Sequence, residues 1–177
     1  MLFPYHFDFP LTPSAVKIQR ENLKEFERTH FTDYSVCELI ASRTQFCDDL
    51  LKQLWRQFEL DKANLTLIAV GGYGRQEIFP LSDLDVLILS KEERESETEE
   101  KIAQFVQFLW DCGFDVGHSV RSLEECEKGI FLNLKDKAEI IFCLNARDLA
   151  SNRQLSSEDI DYSDYCLKMI SDIEKEI

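Results

Sequence analysis

Residues 65–70 (LTLIAV) and 84–89 (LDVLIL) are two short, almost wholly apolar runs, separated by a Gly-rich turn and an Asp-x-Asp. Apolar runs of this length, bounded by turn residues, read as buried strands. The first run ends in Gly71-Gly72 and the second opens at Asp83-Leu84-Asp85, so the polar residues gather at one rim of whatever sheet the strands build.

Upstream the period is helical. Thr12-Pro13 reads as an N-cap followed by proline at the first helical position, opening a helix to about residue 29 with Val16, Leu23 and Phe26 inward. A longer helix is expected over residues 33–60, because Val36, Leu39, Ile40, Phe46, Leu50, Leu51, Leu54 and Phe58 recur at spacings of three and four. Downstream, KEERESETEE (residues 91–100) reads as a solvated loop and an acidic first helical turn. The helix it opens carries Ile102, Phe105, Val106, Leu109 and Trp110 on one face and ends at Cys112-Gly113. Residues 114–121 (FDVGHSVR) read as a third strand, followed by the capping-box pattern Ser122-Leu123-Glu124-Glu125. Residues 139–144 read as a strand or a buried helix turn, and residues 161–177 as a helix with Tyr162, Cys166, Met169, Ile170 and Ile173 inward.

With 177 residues the chain suits one well-cored domain. The expected class is α/β (α+β): a small mixed or mostly antiparallel sheet with an N-terminal helical layer. The expected division is a helical segment over 1–60, a core over 61–150 and a C-terminal helix or tail over 151–177.

A net charge of −14 argues against nucleic acid or an anionic membrane as the main partner. No apolar stretch approaches the length of a membrane span, and residues 1–10 carry no Lys or Arg before their aromatics, so a cytoplasmic protein is expected. The six cysteines form no CxxC pair and no zinc-ligand spacing, and read as buried thiols.

The chemistry sits between the first two strands. Gly71, Gly72 and Gly74 can bring backbone N–H groups close to phosphate oxygens, a helix turn starting near Gly74-Arg75 would aim further donors at the anion, and Arg75 could pair with it. Asp83 and Asp85 lie two apart at the head of a strand, so alternation sends both carboxylates to one side, where two oxygen ligands can hold Mg²⁺ against a triphosphate. Two unneutralised carboxylates would repel, which a cation relieves. A Gly-Gly turn alone is usually only a turn, and Ser82-Asp83-Leu84-Asp85 alone could be strand capping. Joined at this spacing between two apolar strands, they resemble the nucleotidyltransferase signature, a Gly-Gly or Gly-Ser turn followed by Asp-x-Asp on the next strand. No P-loop is present, and Glu77 stands where a Rossmann fingerprint wants Gly or Ala.

The whole series resembles the bacterial [protein-PII] uridylyltransferases (uridylyl-removing enzymes): Gly71-Gly72-Tyr73-Gly74-Arg75, Glu77, Pro80, Ser82-Asp83-Leu84-Asp85, Leu109-Trp110-Asp111 and Gly117-His118-Ser119-Val120-Arg121. The likeness runs from the first strand to about residue 127. It implies Mg²⁺-assisted transfer of UMP from UTP to a tyrosine of the PII nitrogen-signalling protein. Asp83 and Asp85 would be catalytic metal ligands, and Gly71, Gly72, Gly74, Arg75 and Ser82 would bind nucleotide. Asp115 is the candidate third acid, while Arg121 and His118 could lie in the cleft, one against phosphate and the other as a polar or proton-handling group. The family continues into Leu-Glu-Ala-Arg, where this chain has Leu144-Asn145-Ala146-Arg147, so weaker transfer is expected. The family's HD hydrolase and ACT domains do not fit in this length. Two other readings stay open: the same fold with another acceptor, and a non-catalytic nucleotide-binding fragment.

Overall fold

A computed structural model describes residues 2–90, 94–122, 147–149 and 153–154. The expected elements over 139–144 and 161–177, the capping box from Leu123 onward, and Asn145 lie outside them.

Thr12 opens α1 (Pro13–Thr29) by accepting a hydrogen bond from the Ala15 N–H at 3.3 Å, with Pro13 in the first turn. Helix α2 (Val36–Gln57) starts later than the periodicity suggests, because Ser35 and Glu38 form a reciprocal capping box. It also ends earlier: Glu59 takes a left-handed φ of 56° and turns the chain into a short 3₁₀ turn, Leu60–Lys62. Val36, expected on the apolar stripe, is exposed in the first turn.

The sheet comprises β1 (Leu65–Ala69), β2 (Leu84–Ser90), β3 (Val116–Ser122), β4 (Arg147–Asp148) and β5 (Arg153–Gln154), in the order β3-β2-β1-β4-β5. It is mixed, as expected: β1 runs antiparallel to β2 and β4, whereas β2 and β3 are parallel. Between β1 and β2 lies a one-turn helix, α3 (Gly71–Gly74), and α4 (Ser96–Asp111) carries the crossover from β2 to β3.

Alternation divides the strands between two faces. Leu67, Ala69, Leu84, Val86 and Ile88 share one core with Phe46, Leu50 and Leu54 of α2 and Phe105 and Leu109 of α4. Ile68, Val70 and Leu87, with Leu89 against them, form a smaller cluster on the other face. Asp85 shares the parity of Leu87 and Leu89, so its carboxylate belongs to this second face. The aromatic lead-in seals the first core: Phe3 and Phe7 are buried against Phe46, and the Tyr5 hydroxyl donates to Asp49 at 2.6 Å. Among the described residues, no helix is long and apolar enough to cross a membrane.

Three cysteines are described. Cys47 and Cys112 are buried, and burial pushes each thiol up to about 12. Cys37 departs from the expectation of buried thiols, since it sits exposed in the first turn of α2.

Candidate active site

Strand β1 delivers the chain to the rim at Val70, whose N–H donates to the Asp85 carbonyl at 3.0 Å and carries the β1–β2 ladder one step beyond the strand. Helix α3 then begins at Gly71, which needs glycine because its φ is +57°. This is earlier than the expected start near Gly74-Arg75. Gly74 is buried and its N–H is spent on the Val70 carbonyl at 2.8 Å. The first-turn N–H groups that helix geometry leaves over are those of Gly71, Gly72 and Tyr73. Arg75 is the C-cap, its N–H bonded to the Gly71 carbonyl at 3.3 Å. Its side chain is exposed and paired with Glu77 at 2.8 Å. Gln76, at φ 63°, reverses the chain, with Glu77 N–H donating to the Gly72 carbonyl at 2.9 Å and Gln76 N–H to the Tyr73 carbonyl at 3.0 Å.

Asp83 is exposed just before β2, and Asp85 is half-buried within it. Burial, first, and the neighbouring Asp83 charge, second, push the Asp85 carboxyl above the ordinary aspartate range. Among the described residues, neither carboxylate has a hydrogen-bond or ion-pair partner. Two hard oxygen donors, one of them partly desolvated and both lacking a counter-charge, suit a divalent cation such as Mg²⁺. Ser82 Oγ accepts the Phe79 N–H at 3.1 Å and closes the turn that leads into Asp83.

The parallel register sets Asp85 opposite Gly117 and Leu89 opposite Arg121. Arg121 therefore shares the Asp85 face but stands four residues along, roughly 13 Å at strand rise, with its Nε on Ser119 Oγ at 3.0 Å. His118 has the opposite parity: it pairs with Val86, and its ring meets Trp110 of α4 edge-on at 5.7 Å. It is thus on the helix side of the sheet, away from the Asp85 carboxylate. The Asp115 carbonyl accepts the Leu84 N–H at 2.9 Å, so its backbone lies beside the Asp83–Leu84 step, with an exposed side chain. Among the described residues, no three His, Cys, Asp or Glu side chains converge as a metal-binding group.

Sequence reasoning missed what holds the Gly turn from behind. Tyr73 is buried and its hydroxyl donates to Asp48 Oδ1 of α2 at 2.8 Å. Arg147 of β4 donates to both Asp48 oxygens, at 2.7 and 3.0 Å, and to the Tyr73 carbonyl at 3.3 Å. Burial, with Asp48's charge adding to it, holds the Tyr73 hydroxyl protonated well past its ordinary range. A signal was present: Thr44, Asp48, Leu51 and Trp55 form a row at spacings of four, three and four, and a carboxylate on such a buried row demands a partner. The partner's position, 99 residues away, had no local signal.

Residues 22–122 match the family described as Putative nucleotidyltransferase DUF294. The chain is 65% identical over 132 residues to the bifunctional uridylyltransferase/uridylyl-removing enzyme of Pasteurella multocida, covering 72% of this chain and 15% of that protein. The protein of the same description from Haemophilus influenzae strain PittEE is 55% identical over 157 residues, 86% of this chain and 18% of its own length. That of Vibrio cholerae is 40% identical over 126 residues, 70% of this chain and 14% of its own. The chain thus spans less than a fifth of the length of these relatives.

Proposed function

The chain belongs to the putative nucleotidyltransferase family DUF294, and from that premise we propose that residues 71–85 transfer UMP from UTP to a tyrosine hydroxyl of the PII signal protein, a cytoplasmic reaction that releases pyrophosphate. The observation that carries this reading is the Asp85 carboxylate, half-buried without a counter-charge beside Asp83 at the exit of a glycine turn.

In this reading the first-turn N–H groups of Gly71 and Gly72 bind the β- and γ-phosphates. Arg75 joins them by leaving Glu77, an exposed ion pair that costs little to break. Ser82 keeps its hydroxyl proton available while its oxygen holds the Phe79 turn, so it can donate to nucleotide. Asp83 and Asp85 would hold Mg²⁺, which when bound offsets triphosphate charge and acidifies the attacking hydroxyl. Fixing these acids on a rigid strand start keeps them placed for in-line displacement, in which the phenolic oxygen bonds to the α-phosphorus as the bond to pyrophosphate breaks.

The test is transfer of labelled UMP from UTP to purified PII with Mg²⁺, comparing the wild-type chain with Asp85→Asn. We expect a loss of about 10³-fold, or about 4 kcal/mol of transition-state stabilisation, with thermal stability retained. Wild-type turnover by Asp85→Asn would remove the assignment. UTP binding without pyrophosphate release would favour a non-catalytic nucleotide-binding fragment, a reading supported by the two-acid rim and Asn145. Transfer to another protein but not to PII would keep the chemistry and change the acceptor.

A further inference from the structure

Strand β3 and the α3 turn that follows β1 flank the head of β2, and each presents a glycine to Asp85. Built on the backbone, a Cβ at Gly71 would lie 2.8 Å from Asp85 Oδ2, and one at Gly117 would lie closer still to Asp85 Oδ1. Both are inside the separation that real Cβ atoms keep, so the carboxylate fills the space that side chains at 71 and 117 would need. Gly71 has a second reason to be glycine, its positive φ. Gly117 has none: its backbone is ordinary extended strand, paired with Asp85 in the β2–β3 register. A glycine inside a strand weakens it and marks a close approach by another group. Here that group is a carboxylate that has no hydrogen bond to orient it.

We infer that Gly117 is a positioning residue, the bare strand position that lets the Asp85 carboxylate lie against β3 and so sets the placement with which it takes a divalent cation. This rests on the reading of Asp85 as a metal ligand. Residues that orient a ligand without touching the ion typically change metal affinity about 10- to 100-fold when altered. An added methyl at 117 must either rotate the carboxylate or separate β2 from β3.

The experiment uses the full chain in four forms: wild type, Gly117→Ala, Asp85→Ala and the double variant. Mn²⁺ is the probe, its binding followed by electron paramagnetic resonance, with Tm measured in parallel without metal. Gly117→Ala should weaken Mn²⁺ binding about 10- to 100-fold and lower Tm by a few degrees. In the Asp85→Ala background, where Mn²⁺ binding is already lost, the same methyl meets no carboxylate, so the Tm loss should vanish or turn into a small gain, a non-additivity that a purely local strand effect cannot produce. Unaltered Mn²⁺ affinity in Gly117→Ala, or an equal Tm loss in both backgrounds, overturns the inference. Unaltered Mn²⁺ affinity in Asp85→Ala, or no Mn²⁺ binding by the wild type, instead removes the metal reading of the site. The Tm cycle then still decides whether Gly117 holds Asp85.

Discussion

Replacing Asp48 by Asn tests how the active-site turn is held. Arg147 is 1% exposed and Asp48 is 4% exposed, so the pair is cut off from water. Asp48 accepts three hydrogen bonds, one from Tyr73 and two from Arg147. Asn keeps one acceptor oxygen, but its amide sets a donor against a donor and removes the carboxylate charge that faces the arginine. Breaking a buried pair in this way costs about 3–5 kcal/mol, which for a chain of this size corresponds to a Tm drop of roughly 10 °C. Tyr73→Phe removes only one hydroxyl and should cost about 1 kcal/mol. Urea unfolding with an unchanged m-value gives both numbers. The double change Asp48→Leu with Arg147→Met removes both charges and should recover most of the loss. A cost below about 1 kcal/mol for Asp48→Asn, or a double variant no more stable than the single, refutes the idea that charge pairing fixes Tyr73 and its turn.

Thiol labelling of the native chain should modify Cys37 rapidly and leave Cys47 and Cys112 unmodified until unfolding, since both are buried with thiols pushed up to about 12; peptide mapping by mass spectrometry reads the result, and early labelling at Cys47 contradicts it. Gln76→Gly should raise stability by about 1 kcal/mol, because the left-handed φ of 63° strains a residue with a Cβ; a lower urea midpoint would show that the glutamine side chain does more than turn the chain. Asn145→Glu should increase UMP transfer without improving UTP affinity by calorimetry, if the family's acid at this place acts on the attacking oxygen; unchanged transfer rejects that role. The net charge of −14 predicts no sub-micromolar binding to DNA or RNA at physiological salt, which a filter assay can contradict.

The parts of this protein that are properties of contiguous residues are legible in its sequence. Apolar period separates α1, α2 and α4 from β1 and β2, and the two glycines and Asp-x-Asp stand at the junction of the strands because turn and phosphate chemistry are local. Even the late start of α2 was written in Ser35 and Glu38. Tertiary structure decides what depends on register and burial. The parallel pairing of β2 with β3 brings Gly117 beside Asp85 and, by the same parity, turns His118 toward Trp110, and no spacing along the chain encodes which strand lies next to which. The backbone hydrogen bonds of α3 consume the Gly74 N–H and leave those of Gly71 and Gly72. Asp48 announces that it needs a partner because a buried carboxylate is costly alone, but only the folded chain can supply Arg147, since the attraction acts through space between residues that the sequence keeps 99 positions apart.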